Sequence, residues 1–250
     1  MILAPYSHIV WFAGHSSVTS AINDPYGALY NNCLNLVRLR EKAPEHARLI
    51  YASSASLYST AQHDVASELP LARESDPLYA NLNAYDMSKF VFDYIAKGFL
   101  KNFSGLRLGT VSGWSPNLRR ELLFNAMNLS AQEKGKVMVA NPQASRSILF
   151  LDDLFEAVWA CIRLRKLKDG FYNLASATAT VGEFGQAIAS HYGAQLEWMP
   201  PSLTYSFRLD TAKAQEELGI TFRGDLDQRC QQFLSQLQAA QPASSQSLVA

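Results

Sequence analysis

The chain has 250 residues, of which 48% are hydrophobic and 18% are charged, with 22 basic and 22 acidic side chains. These proportions are typical of a globular protein and exclude a wholly disordered one. A net charge of zero provides no basic field to hold nucleic acid or an anionic membrane. No apolar run approaches the roughly 18 residues of a membrane span. We therefore expect no nucleic-acid partner and no membrane partner.

The cysteines and the N-terminus indicate the cellular compartment in which the protein is expected. Cys33, Cys161 and Cys230 are far apart and odd in number, so neither a disulfide framework nor a metal-ligand spacing emerges. The apolar N-terminus lacks the basic lead and the cleavage site of a signal peptide. These features favour a reducing, cytoplasmic location, and we expect no metal site.

Strands and helices alternate in the first part of the chain. Short apolar runs predict three buried strands, at 8–14, 48–53 and 105–111. Helical spacing of apolar residues predicts two helices between them, at 26–42 and 84–102. The polar segment 59–82, with its two prolines, is predicted to lie on the surface. A strand–helix alternation of this kind predicts an α/β fold with a doubly wound parallel sheet.

The remainder of the chain mixes its elements differently. Helices are predicted at 118–133, from Asp152 to about 164, and at 181–192, 211–218 and 225–238. A short strand is predicted at 136–139, and a further sheet strand at 170–174. The Ala-, Gln-, Ser- and Pro-containing end, 238–250, is predicted to be a disordered tail.

Tyr85 and Lys89 form the most informative pair of residues. Four residues apart at the start of a predicted helix, they lie on one helical face. A lysine cation beside a phenol favours the phenolate, and this predicts that the pKa of Tyr85 falls from about 10 towards neutrality. A surface helix with a solvated lysine is the alternative interpretation of the same spacing.

Serines end the second predicted strand, about thirty residues before Tyr85. Ser53 and Ser54 therefore lie at the carboxyl end of a parallel strand, where such sheets bind ligands. A hydroxyl group there can hydrogen-bond a substrate oxygen while a tyrosine moves the proton. A serine-rich turn without a function is the alternative interpretation.

Taken in order, these motifs resemble the extended branch of the short-chain dehydrogenase/reductase superfamily, the NAD-dependent nucleotide-sugar epimerase/dehydratase group. The resemblance runs over residues 8–237. Segments 8–14, 49–58 and 106–113 are similar to the family's fourth, fifth and sixth strands. Segment 24–32 is similar to the helix after the fourth strand, with Asn32 at the family's structural Asn. Segment 145–154 is similar to the segment whose Arg contacts the nucleotide diphosphate, and segment 208–219 is similar to the C-terminal helix signature.

The resemblance implies a set of site residues. Ser54, Tyr85 and Lys89 take the catalytic positions. The positions expected to bind NAD or NADP are Phe12, Ala13, Gly14, Ser53, Tyr85, Lys89, Thr110 and Val111. The positions expected to bind a nucleotide-sugar substrate are Ser54, Thr110 and Arg146. A guanidinium suits phosphate oxygens because it donates two parallel hydrogen bonds, although Arg146 has the alternative of pairing with Asp152 or Asp153.

Departures from the family pattern reduce the number of reactions that the resemblance allows for this chain. The 4,6-dehydratases carry Asp-Glu where this chain has Ala55 and Ser56, so dehydration lacks its acid/base pair. Neither Ala55 nor the loop at 114–116 offers the Cys and His of the fucose-synthase type. Thr110 replaces an Asn that commonly touches the substrate phosphate in epimerases. Among the activities of the family, a sugar 4-epimerase and a keto-sugar reductase remain as the expected ones.

The family's Gly-rich turn is not found in this sequence. No glycine lies in the first 13 residues, whereas the family begins with a strand, a Gly-rich turn and a helix that hold the pyrophosphate. At about 30 residues per βαβ unit, a block on the order of 60 residues is expected to be absent. We therefore keep two hypotheses: an N-terminally truncated enzyme, or an inactive relic or partner subunit that binds no dinucleotide.

The predicted architecture follows from this comparison. Residues 1–111, with strand 170–174 returning to the sheet, form a partial Rossmann-like dinucleotide-binding domain without its first βαβαβ unit. Residues 112–237 form a smaller α+β substrate domain. An apolar edge strand at 8–13 invites pairing with another chain. A homodimer through helices 26–42 and 84–102 is also expected.

Overall fold

The computed structural model describes residues 6–59, 69–79 and 81–240. Within these ranges the strands are β1 to β9, at His8–Trp11, Arg48–Ser54, Phe103–Leu108, Thr110–Ser112, Lys136–Val139, Ser145–Phe150, Gly170–Leu174, Ala177–Thr180 and Gln195–Trp198. The α-helices are α1 to α9, at Val18–Asn23, Pro25–Leu29, Asn35–Lys42, Ala84–Phe99, Leu123–Lys134, Leu151–Arg163, Val181–Tyr192, Ala212–Leu218 and Leu226–Ala240. None of the helices in these ranges is long and apolar enough to cross a membrane.

A four-stranded parallel sheet organises the first part of the chain. Its order is β1-β2-β3-β7, with Tyr51 opposite Gly105 and Leu106 opposite Tyr172. Successive residues of β2 are buried on opposite faces, Leu49 against α3 and α4 and Ile50 against α6 and α8. Because both faces are covered, the strands are continuous apolar runs instead of alternating patterns. The predicted α/β fold with a parallel sheet is confirmed.

The remaining strands form two small sheets around a separate core. β4 pairs parallel with β6, β6 pairs antiparallel with β8, and β5 pairs parallel with β9. Helices α5, α7 and α9 pack on this unit, and Phe124 and Phe184 are completely buried between its elements. The mixture of parallel and antiparallel pairs agrees with the α+β character expected for this region.

Two predicted elements are divided in the structure. The strand predicted at 105–111 splits at Gly109: β3 stays in the main sheet, whereas β4 joins β6. A Cβ atom at Gly109 would lie 2.6 Å from the carbonyl oxygen of Ser147, so the two backbones approach closely only because no side chain is present. The helix predicted at 26–42 consists of α2, a π-helical turn at Tyr30–Leu34, and α3.

Other predicted boundaries are also corrected. The first strand ends at Trp11 instead of residue 14, and α5 begins at Leu123 instead of 118. The loop before α5 is fixed by Asn125, which accepts from the Gly113 amide and donates to the Arg119 carbonyl. Strands β6, β8 and β9 are not predicted from the sequence. Helix α9 extends to Ala240, and the rest of the predicted tail lies outside the described residues.

A buried ion pair connects the sheet to α4. Arg107 on β3 donates through Nε to Asp93 on α4 at 3.0 Å, and both side chains are almost fully buried. Asp93 also accepts from the Tyr51 hydroxyl at 2.9 Å, and the Arg107 guanidinium lies 4.1 Å from the centre of the Phe171 ring. These contacts satisfy both charges away from water.

Removing Asp93 should destabilise the protein strongly. In Asp93→Ala the Arg107 guanidinium stays buried without its carboxylate, and the loss of one partner of a buried pair typically costs about 3–5 kcal/mol. Urea denaturation measures the free energy of unfolding. The control is Arg73→Ala, which breaks the exposed pair to Asp210 and should cost less than about 1 kcal/mol. Equal losses in the two variants would contradict this account.

Candidate active site

A cavity of about 660 Å³ opens at the carboxyl ends of the main-sheet strands, against the β4–β6–β8 sheet. The predicted site residues that line it are Phe12, Ala13, Ser53, Ser54, Tyr85, Lys89, Thr110, Val111 and Arg146. Gly14 is not part of the wall. A Cβ atom there would lie 2.2 Å from the Asn32 side-chain oxygen, so Gly14 permits close packing beside the cavity. The structure thus brings together every predicted site residue except Gly14.

Helix α4 places Tyr85 and Lys89 in this cavity. The helix begins after Asn83, whose side-chain oxygen accepts from the Asp86 amide at 2.9 Å. An Asn N-cap and an acidic residue in the first turn both stabilise a helix start. Tyr85 therefore lies in the first turn, and Lys89 lies one turn later on the same face.

Lys89 is buried and held by the backbone of β2. Its Nζ donates to the Ala52 carbonyl at 2.8 Å and lies 6.0 Å from the centre of the Tyr85 ring. Burial lowers the pKa of Lys89 to about 8, and the negative charge of Asp93 opposes this shift. The interpretation of Lys89 as a solvated surface lysine is therefore excluded.

The pKa of Tyr85 shifts in the direction opposite to the prediction. Burial raises it above the ordinary value, and the charge of Asp86 raises it further. A hydrogen bond with Ser54 and the charge of Arg119 lower it in part. The predicted fall towards neutrality is wrong for this structure, because removing the phenol from water disfavours the phenolate.

Arg146 on β6 is a cation without an acidic partner among the described residues. One guanidinium nitrogen donates to the Thr204 hydroxyl, another donates to the Ser145 carbonyl at 3.3 Å, and the group lies 5.5 Å from the centre of the Phe207 ring. Burial lowers the pKa of Arg146 to about 10, which leaves it positively charged at neutral pH.

The alternative partners of Arg146 are occupied elsewhere. Asp152 pairs with Arg229 at 2.7 Å, and Asp153 pairs with Arg223 and Arg229 at 3.0 Å. Pairing of Arg146 with either carboxylate is therefore excluded. What remains at Arg146 is a partly buried positive charge in the cavity wall, which suits an anionic ligand.

Several cavity residues were missed by sequence reasoning. Arg119 lies in the loop before α5 and pairs with Glu121 at 2.8 Å, and Tyr205 lies after β9. Ser56, another cavity residue, is noted in the sequence only as a departure from the dehydratase pattern. Their hydrogen bonds join segments far apart in sequence, so no local spacing indicates them.

The family model of the NAD dependent epimerase/dehydratase family matches residues 2–175. The chain belongs to this family. The match includes the Ser54, Tyr85 and Lys89 positions and also Arg146. No curated protein matches the chain in sequence.

Solved structures of similar fold include nucleotide-sugar epimerases and a protein in complex with a nucleotide sugar. MoeE5 in complex with UDP-glucuronic acid and NAD is 20% identical, with a TM-score of 0.77 over 94% of this chain and 80% of that chain. The ADP-L-glycero-D-manno-heptose-6-epimerase of Helicobacter pylori is 18% identical, with a TM-score of 0.75 over 93% and 73%. The UDP-glucuronic acid 4-epimerase of Bacillus cereus, in complex with UDP-glucuronic acid and NAD, is 17% identical, with a TM-score of 0.75 over 95% and 77%. At these identities the likeness concerns the fold.

The cavity wall combines apolar surface with a few polar side chains. The apolar part includes the strand ends Phe12 and Val111, and the polar part includes the Lys89 ammonium. Nδ1 of His15, another wall residue, is buried without a hydrogen-bond partner among the described residues. An apolar wall with a few convergent polar groups is typical of cofactor sites. Within the described ranges, no Gly-rich strand-to-helix turn faces this cavity to hold a pyrophosphate.

The lowered pKa of Lys89 predicts a pH-dependent stability. Between about pH 8 and pH 10 the unfolded chain, with a lysine pKa of 10.5, keeps a proton that the folded chain has released. Stability therefore rises with pH across this window, by up to about 1.4 kcal/mol per pH unit relative to Lys89→Met. Urea denaturation of both proteins at several pH values measures the difference. A difference that stays constant with pH would show that Lys89 titrates normally.

Proposed function

We propose that this chain carries the active site of an NAD(P)-dependent nucleotide-sugar 4-epimerase or keto-sugar reductase. The observation that carries the proposal is the convergence of Ser54, Tyr85 and Lys89 on one cavity that also contains Arg146, a cation with no ion pair to the described residues. MoeE5 and the UDP-glucuronic acid 4-epimerase of Bacillus cereus are both in complex with UDP-glucuronic acid and NAD, which supports the same classes of ligand here. Ala55 and Ser56 in place of an acid/base pair argue against dehydration.

Each of the three catalytic residues has a different role in the proposed reaction. As phenolate, Tyr85 accepts the proton of the sugar hydroxyl, and as phenol it returns a proton to the keto oxygen. Ser54 holds the same oxygen by a hydrogen bond. Lys89, positively charged below its pKa of about 8, favours the phenolate and is available to a ribose hydroxyl. A bound nicotinamide dinucleotide supplies the hydride acceptor and donor.

Arg146 and its surroundings bind the nucleotide part of the substrate in this proposal. A guanidinium donates two parallel hydrogen bonds to phosphate oxygens, and its charge complements a diphosphate. Thr204 and Phe207 fix its plane from the segment after β9. The sugar then extends from Arg146 towards Tyr85 within the same cavity.

We also propose the functional division expected from the sequence. Residues 1–111 with strand 170–174 supply the dinucleotide side of the cavity, and 112–237 supply the sugar-nucleotide side. The support is that Phe12, Ser53 and Lys89 lie on or next to the main sheet, whereas Arg146 lies on β6 of the second unit.

Replacing Arg146 should weaken binding of a sugar nucleotide. Arg146→Gln removes a charge-assisted contact of about 1.5–3 kcal/mol, so the Kd for UDP-glucose should rise about 10- to 150-fold in calorimetric titration. Arg120→Gln is the matched control, because Arg120 is exposed and outside the cavity. Absence of UDP-glucose, UDP-glucuronic acid and ADP-sugar binding by the wild-type chain would contradict the proposed function.

Titration with NAD and NADP separates the proposed enzyme from a second candidate, a protein that binds a sugar nucleotide without a dinucleotide. The observation favouring this second function is that β1 pairs on one side only among the described residues, so the sheet ends there at the cofactor side of the cavity. Micromolar dinucleotide binding would exclude the binding-only function. Sugar-nucleotide binding alone would exclude the oxidoreductase for this chain.

A homodimer through 26–42 and α4 is proposed as the assembly. Both segments expose aromatic side chains: Tyr26 and Tyr30 on the first, and Tyr94 and Phe99 on α4. Tyr94→Glu should therefore shift the protein towards monomer in sedimentation equilibrium. The control is Phe155→Glu, which places the same charge on α6 at a similarly exposed position. A monomeric wild type, or equal effects of the two variants, would contradict this assembly.

A further inference from the structure

Asp86, the residue after Tyr85, is a fully buried carboxylate that the proposed chemistry does not use. Three side chains donate to it. Ser56 Oγ donates to Oδ1 at 2.5 Å, while the Asn83 amide and the Tyr205 hydroxyl donate to Oδ2 at 2.7 and 2.6 Å. A buried carboxylate with this many partners is held rigidly in one orientation.

The contact through Ser56 continues to the catalytic serine. Ser54 Oγ lies 2.8 Å from Ser56 Oγ, and Ser54 Oγ also accepts from the Ser56 amide at 3.2 Å. A carboxylate only accepts, and a serine has one hydroxyl proton. Ser56 gives its proton to Asp86, so the hydrogen bond between the two serines must be donated by Ser54. The Ser54 proton is therefore engaged with Ser56, and only a lone pair of Ser54 remains for the cavity.

We propose that Asp86 is a positioning residue that acts through Ser56 to make Ser54 a hydrogen-bond acceptor towards the substrate hydroxyl. The proposal rests on the proposed function only in naming the substrate group. Its consequence is that Ser54 orients an alcohol by accepting its proton in a hydrogen bond. To stabilise the Tyr85 phenolate, Ser54 must first give up its hydrogen bond to Ser56.

Tyr205 extends the same network to the substrate side of the cavity. It lies next to Thr204, which accepts from Arg146, and it lines the cavity together with Tyr85. The titratable and charged groups around Asp86 are thus Tyr85 and Tyr205, with Arg119 acting on Tyr85 and Arg146 interacting with Tyr205. Asp86 therefore contacts the segment after β9 through Tyr205, and it orients Ser54 through Ser56.

A helix-capping role is the structural alternative for Asp86. Asn83 and Asp86 exchange hydrogen bonds at the start of α4, the amide of Asp86 donating to Asn83 and the amide group of Asn83 donating back. Ser56 takes no part in this exchange, because it contacts the other carboxylate oxygen. Ser56→Ala therefore breaks the route to Ser54 while it leaves both the cap and the Asp86 charge in place.

The test is the titration of residue 85, followed by fluorine NMR with 3-fluorotyrosine incorporated at that position. In Ser56→Ala, Ser54 is free to donate to the phenolate, so the pKa at position 85 should fall below its wild-type value. Asp86→Asn should lower it too, because a negative charge is also removed. Ser115→Ala, another serine of the cavity wall, is the control and should titrate like wild type. An unchanged Ser56→Ala titration overturns the proposal, even if Asp86→Asn shifts, since charge alone then explains that shift.

Turnover gives a second readout. With a sugar-nucleotide substrate, Ser56→Ala should lower kcat about ten- to a hundredfold through misorientation of Ser54, with a smaller change in KM. The acid limb of its pH profile should move to lower pH with the titration of residue 85. Failure of the proposed function appears instead as a wild-type chain without sugar-nucleotide binding or turnover, an outcome independent of the NMR titration. A Ser56→Ala enzyme with wild-type kcat and pH profile counts against the proposal.

Discussion

The hydrogen bond from the Lys89 ammonium to the Ala52 carbonyl joins helix α4 to strand β2, and the geometry of the cavity depends on it. Tyr85 and Lys89 are carried by the helix, whereas Ser53 and Ser54 are carried by the strand. A lysine buried against a strand loses its hydration, so the fixed carbonyl and the nearby charge of Asp93 must replace water as its partners. The same burial raises the pKa of Tyr85, because the cavity that holds the cation also excludes solvent from the phenol.

The pairing of the other charges explains why Arg146 has no acidic partner within the described part of the chain. Asp93 is engaged with Arg107, and Asp152 and Asp153 are engaged with Arg229 and Arg223. Burying a charge is expensive unless it is paired, so an unpaired guanidinium in a cavity wall is costly for the apo protein. An anionic ligand relieves that cost, and this is the physical basis for the proposal that Arg146 binds the diphosphate.

Many elements were predictable because their signals are local. The apolar runs of β2 and β7, the Tyr85–Lys89 spacing on α4 and the helix at Val181–Tyr192 all arise from residues within one element. The boundaries that failed depend on distant partners. Gly109 separates β3 from β4 because the Ser147 backbone approaches it, and the loop before α5 is held by Asn125. Short strands such as β8 exist only because β6 lies beside them.

The sequence by itself determined the fold class, the family resemblance and the residue types of the site, since these follow from periodicity and from motifs in fixed order. Only the tertiary structure decided the chemical state of those residues. It buried Tyr85 and so reversed the predicted direction of its pKa shift, and among the residues it describes it left Arg146 without a carboxylate partner. It also brought Ser56, Asp86 and Tyr205 together, although Ser56 and Tyr205 are 149 positions apart in the sequence. Burial and long-range hydrogen bonds are properties of neighbours in space, and the order of residues along a chain does not reveal them.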